Sequence, residues 1–186
     1  MESIRVPALA VFLSFAVLPV AAQAGDASPA PQTAAIKAFH GYGMGLSLDE
    51  VKARLLKDPS FNYRGDPDVS FLPVKEQVLI ECSGNGYIKR AHFQFVEKKL
   101  YTLILELNEG KVDFFTMMTT FGSAYGAYRG FSPDQVVWEA GGVRLSLEKP
   151  LTVKYIDLAV FNRLKDSGRK QTADEEKALQ EFLKEF

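Results

Sequence analysis

"IECSGNGYIKRAHF", residues 80–93, holds Cys82, the chain's one cysteine, and His92, one of its two histidines. The pair invites a catalytic reading, and the residues around it argue for a β-hairpin instead. Val78, Ile80 and Cys82 fall at every second position and share one face, and so do Ala91, Phe93 and Phe95. A period of two is the pattern of half-buried strands. Between the two runs, Asn85-Gly86 is the preferred pair for a two-residue hairpin loop, because both central positions need positive φ. That loop sets Ile80 opposite Ala91, Val78 opposite Phe93, Leu79 opposite His92, and Glu81 opposite Arg90 as an ion pair. One register thus builds an apolar face and a polar face. It places Cys82 and His92 on opposite faces. A thiolate must lie within about 3 Å of its general base, so the dyad is excluded and Cys82 reads as a small core residue.

Working outward, the same logic finds a longer strand downstream. Tyr101, Leu103, Leu105 and Leu107 alternate with Thr102 and Glu106 and end at Asn108-Glu109-Gly110. This is the cleanest alternation in the chain and predicts a central strand. Phe114, Met117, Met118, Phe121 and Tyr125 then recur at helical spacing before Gly126, which suits a left-handed stop. Further strands are expected around Val136–Trp138, through Val143, Leu145 and Leu147, and through Leu151, Val153 and Tyr155. Asp157 can cap a third helix through Leu158, Phe161 and Leu164.

Upstream, Ser47 and Glu50 form a capping box, followed by a Leu48, Val51, Leu55 stripe on a helix ending near Asp58-Pro59. Residues 61–74 are broken by Gly65, Pro67 and Pro73 and read as a short strand followed by a loop. Strands in uninterrupted runs imply antiparallel hairpins. The fold class expected is therefore α+β, an antiparallel sheet with helices on one face, with a helix-plus-meander arrangement occurring twice.

The ends differ in character from this domain. Arg5, the apolar run from Val6 to Val17 and the Ala22-Gln23-Ala24 site have the form of a cleaved signal peptide, residues 1–24. The run is broken by Ser14 and stopped by Pro19, whereas a membrane-spanning helix needs about 20 apolar residues. An uncleaved anchor is the competing reading. No cysteine near the cut offers a lipid acceptor. Residues 25–40, containing "GDASPAPQ", read as a flexible leader, and 41–166 as a single domain. Residues 167–186 read as a polar linker and a C-terminal amphipathic helix. That helix is expected over Thr172–Phe186, opened by a Thr172/Glu175 capping box and striped by Ala178, Leu179, Phe182, Leu183 and Phe186.

The remaining motifs exclude more than they assign. A net charge of −1 offers no basic excess for nucleic acid or for an anionic membrane surface. Two histidines and one cysteine do not make the usual nitrogen- and sulfur-rich zinc site. Asp66-Pro67-Asp68 lacks the rest of a calcium loop and reads as a solvated turn. "GYGMG", residues 41–45, has no preceding strand and no following Lys-Ser/Thr, so it reads as a hinge rather than a phosphate loop. A GxSxG nucleophile elbow is missing from the sequence.

Gly45-Leu46-Ser47, Glu50-Val51, Leu55 and Pro59 resemble the opening of the SmpA/OmlA-type (BamE-like) outer-membrane assembly proteins. The similarity spans about fifteen residues, much of it capping-box chemistry. The chain departs from that family in lacking the lipid-acceptor cysteine and in carrying a second helix-and-strands half. Two such halves are also similar in layout to the beta-lactamase-inhibitor-protein type of fold. Members of both groups act by binding proteins, so the resemblance implies an envelope binding module.

The reading reached is an exported, periplasmic or secreted, non-catalytic protein that binds another envelope protein and needs no cofactor or metal. Its candidate partner-binding residues are Leu179, Phe182, Leu183 and Phe186. The alternative is a small-ligand or lipid carrier with an aromatic-lined cleft.

Overall fold

The computed structural model describes residues 35–71 and 76–184. Residues 1–24, read above as a signal peptide, residues 25–34 of the expected leader, and Phe186 lie outside the described residues. A short 3-10 turn at Phe39–Gly41 precedes helix α1 (Leu48–Leu55). Strands β1 (Phe61–Asn62), β2 (Val69–Phe71), β3 (Gln77–Gly84), β4 (Ile88–Val96) and β5 (Lys99–Leu107) follow. Helix α2 (Phe114–Tyr125) leads to β6 (Gly130–Ser132), β7 (Gln135–Ala140), β8 (Val143–Glu148) and β9 (Thr152–Asp157), and helix α3 (Leu158–Leu183) closes the described chain.

All pairings are antiparallel within one sheet, ordered β1-β3-β4-β5-β9-β8-β7-β6, with β2 also on β3. The helix-plus-meander unit occurs twice as expected, and the two meanders fuse edge to edge through β5 and β9. Strand β5 is therefore central.

One face of this sheet is the core. Trp138, Leu145, Tyr155, Leu103, Phe93 and Ile80 lie side by side across β7, β8, β9, β5, β4 and β3. None of them is more than 5% exposed. Helix α1 covers one half of that face through Val51 and Leu55, and α2 covers the other through Phe121. Phe121 meets the Trp138 ring edge-on, with centroids 5.6 Å apart, and the indole N–H donates to the Gly126 carbonyl. The α1 capping box forms in both directions: the Ser47 hydroxyl accepts from the Glu50 amide, and the Glu50 carboxylate accepts from the Ser47 amide. Asp113 caps α2 by accepting from the Thr116 amide. Gly126, at φ 79°, ends it.

Several expectations need correction. The β3–β4 register is displaced by two residues: Ile80 faces Phe93, Cys82 faces Ala91 and Glu81 faces His92. Only Gly86 of the Asn85-Gly86 pair has positive φ. The Asn85 side chain donates to the Pro59 carbonyl and to Asn62, and its amide donates to Ser60. Those ties to distant chain lengthen the loop. A shift of two preserves the faces, so Cys82 and His92 still point to opposite sides.

In β5, a bulge removes Tyr101 from the apolar set. Leu100 takes the core position, 1% exposed, while the Tyr101 hydroxyl donates to Gln94. The 41–45 glycines are no hinge. Tyr42 is 1% exposed between Phe61 and Phe93, and the Gly45 amide donates to Leu100. The leader also ends earlier than expected, since Ile36 and Phe39 already pack on the core. In the Asp66-Pro67-Asp68 turn Asp66 and Pro67 are exposed, whereas Asp68 is buried and bound by the Arg64 amide and guanidinium.

The largest correction is at the C-terminus, where the expected polar linker is helix. Helix α3 runs uninterrupted from its Asp157 cap to Leu183. Thr172 does not cap a new helix; its hydroxyl donates back to the Gly168 carbonyl one turn earlier, and Gln171 reaches Glu175 one turn later. A Ser/Thr-x-x-Glu pattern fits both a helix start and a helix interior, and here the interior geometry holds.

Candidate functional site

Three surfaces carry the candidate chemistry. The first is the distal part of α3. Leu158, Val160, Phe161 and Leu164 are partly buried, but every residue from Lys165 to Lys184 is exposed. Leu179, Phe182 and Leu183 recur at i, i+3 and i+4 and so share one side of the helix. They are 56%, 55% and 59% exposed. The structure thus brings three of the four expected binding residues to one apolar stripe, and Phe186 lies outside the described residues.

The second surface is an apolar groove of about 490 Å³ at one end of the sheet. It is walled by Phe39 and Pro59 on one side, by Tyr87 and Ile88 from the β3–β4 turn, and by Leu107, Val112 and Met117 leading into α2. Tyr87 stands 65% exposed at its mouth, while Ile88 and Leu107 form a buried floor. His40 sits on the lip in a left-handed conformation, φ 46°, with its ring stacked on Phe39 at 4.0 Å. Its Nδ1 lies 3.0 Å from Asp58 Oδ2, and the buried Tyr42 hydroxyl donates to the same oxygen. Burial alone would raise the Asp58 carboxyl. The Ser60 amide and His40 outweigh it and hold the group below the usual carboxylate range. Burial and the nearby Asp58 charge drive the Tyr42 phenol far above its ordinary value, so it stays protonated.

Sequence reasoning missed this groove. Its walls come from four separated segments, which no local pattern in the sequence links.

The third surface is the open face of the sheet. There His92 lies between two carboxylates, 3.2 Å from Glu106 and 3.8 Å from Glu81, and Arg90 pairs with Glu81 at 3.0 Å. Across the sheet Arg144 holds Glu139 and Lys154 holds Glu148. Charges of both signs are interspersed here, which leaves a polar face without a strong field of either sign. A polar pocket of about 510 Å³ at this sheet edge is lined by Arg64, Asp68, Glu81 and Arg90, again as pairs. Cys82 faces the core at 3% exposure. Burial, with Asp68 and Glu81 nearby, pushes its thiol up to about 12. The thiolate that nucleophilic or metal chemistry needs is therefore suppressed. Among the described residues no group of three or more His, Cys, Asp or Glu side chains is arranged to hold a metal ion. No helix among them is long and apolar enough to cross a membrane.

With this geometry in view, the sequence assigns the class. Residues 37–167 match the TP0088 domain, and the chain belongs to that family. The match covers the whole nine-stranded sheet, α1, α2 and the first turns of α3, and it stops before the Leu179–Leu183 stripe. No curated protein and no solved structure matches the chain.

Proposed function

We propose that this TP0088-domain protein is an exported binding module of the cell envelope that docks a partner protein through the distal half of α3. The observation that carries the reading is the exposure of every residue from Lys165 to Lys184 together with the apolar Leu179 and Leu183 on that segment. A solvent-exposed helix normally gains little from leucines, whereas i, i+3 and i+4 anchors are what a partner's groove reads. Export fits the n-region, apolar run and small-x-small site of residues 1–24. The resemblance of the Gly45–Pro59 segment to SmpA/OmlA-type assembly proteins points to the same compartment and the same kind of role. The neutral open face is consistent with a protein partner rather than a nucleic acid.

Truncation after Gly168 tests the reading. The melting temperature of the truncated protein should hold, because the removed residues bury little, while co-purification of an envelope partner should be lost. A lower melting temperature with dye-accessible apolar surface would mean instead that the helix belongs to its own fold. Mass measurement of the exported protein checks the cut after Ala24.

The alternative, a carrier of a small apolar ligand or lipid, draws support from the 490 Å³ groove with Phe39, Tyr87 and Met117 in its walls. Saturable binding of a fluorescent fatty acid, lost in Ile88→Glu, is the outcome that would favour it.

A further inference from the structure

The apolar groove and the α3 stripe lie on the same chain but at opposite ends of it. The groove is built at the end of the sheet marked by the β3–β4 turn and by Leu107, the last residue of β5. Strand β9 runs antiparallel to β5, with Ile156 beside Thr102 and Thr152 beside Glu106. Helix α3 therefore leaves β9 at the other end of the sheet, beside the β4–β5 turn, where Arg163 pairs with Glu97 at 3.3 Å. From Leu164, its last partly buried residue, the helix continues uninterrupted for about 28 Å to Leu183 at 1.5 Å per residue. Leu179 and Leu183 on the helix and Tyr87 at the groove all remain more than half exposed, so the stripe is not seated in its own groove.

A second copy meets both requirements at once. The stripe offers Leu179 and Leu183 at i and i+4, and the groove offers Tyr87, Ile88, Leu107 and Met117. The charges also match. Residues 172–186 carry five carboxylates against two lysines. The pockets flanking the groove hold Arg54 and Lys57 on one side and Lys89 and Lys111 on the other. With Glu50, Asp58 and Glu109 beside them, these four cations face three carboxylates, a small positive excess opposite the acidic tip.

We propose that two copies associate reciprocally, the acidic, leucine-striped tip of each α3 lying in the apolar groove of the other. The proposal rests on the reading of α3 as a docking element and names its partner. A contact between two different surfaces either closes into a pair or continues into an open chain, and mutual exchange of the helix is the arrangement that closes.

The test is sedimentation of the purified protein over a dilution series from micromolar to sub-millimolar concentration. A monomer–dimer equilibrium weakened by added salt is expected. Leu179→Glu with Leu183→Glu removes the helix anchors, and Tyr87→Glu blocks the groove; all three side chains are exposed, so folding is undisturbed. Each variant alone should weaken the dimer by on the order of tenfold or more. An equimolar mixture of the helix variant and the groove variant should recover association, because it retains one intact helix and one intact groove. A monomer at every concentration overturns the proposal, as does a dimer that survives both variants or a mixture that recovers nothing. Exclusive occupation of the groove by a fatty-acid probe, with the chain monomeric, overturns it in favour of a carrier. Capture of a different envelope protein by wild type but not by the helix variant, with the chain monomeric, overturns self-association and leaves the binding-module reading standing.

Discussion

The sheet and the distal helix follow opposite rules. Across β3, β4, β5, β9, β8 and β7 every second side chain is driven out of water, and a change of one atom on that face is felt by its neighbours. Along α3 beyond Leu164 the side chains are all exposed. Local hydrogen bonds such as Gln171 to Glu175 hold that segment together more than tertiary packing does. Most helical stability in proteins comes from tertiary packing of one face, and this segment has little of it. The sheet carries the fold, and the distal helix adds little burial to it.

Substitutions should separate the two regions by magnitude. Trp138→Ala, which empties a site 1% exposed and removes the indole's bond to Gly126, should destabilise by about 3–5 kcal/mol in chemical unfolding. Leu103→Ala in central β5 should cost about 2–5 kcal/mol. A smaller loss would mean that the core face is looser than its burial indicates. Cys82→Ala should cost about 1 kcal/mol and leave binding intact, and the native thiol should resist labelling until the protein unfolds. Leu183→Ser should change stability by less than about 0.5 kcal/mol, since the residue is 59% exposed. A loss as large as that at Leu103 would erase the contrast.

Acid adds a smaller effect. Asp58 is held below its ordinary range, so the stability it contributes is present above the unfolded carboxylate value and fades as pH falls through the lower, folded one. Asp58→Asn should flatten that part of the acid-unfolding profile and leave the region near neutrality little changed in slope.

Much of the sheet was legible because its signals are local. The 78–82, 91–95 and 103–107 alternations and the α1 and α2 stripes each declare their own buried face. The two hairpin turns show where legibility ends. At Gly141-Gly142 both residues take positive φ and Ala140 pairs with Val143, a two-residue turn set by the chain itself. At Asn85-Gly86 the equally favourable pair is overruled, because Asn85 is claimed by Pro59, Ser60 and Asn62 from across the fold. The register error of two residues follows from that competition.

The α3 stripe was readable from its spacing, but the continuity of the helix through "KDSGRKQTA" was not. Gly168 costs a helix only about 1 kcal/mol, and Thr172 has a helical use for its hydroxyl as well as a capping one. The groove was invisible, since Phe39, Pro59, Tyr87, Leu107 and Met117 meet only after the sheet forms.

Backbone hydrogen exchange, resolved by residue and measured at low and high protein concentration, tests the division between fold and docking element most directly. The amides of β5 should exchange slowly and independently of concentration. Those from Lys165 to Lys184 should exchange fast in dilute protein and gain protection as the concentration rises, together with the Tyr87–Lys89 turn. Slow, concentration-independent exchange along the whole of α3 would contradict the division, because it would show the distal helix to be part of the chain's own packed fold.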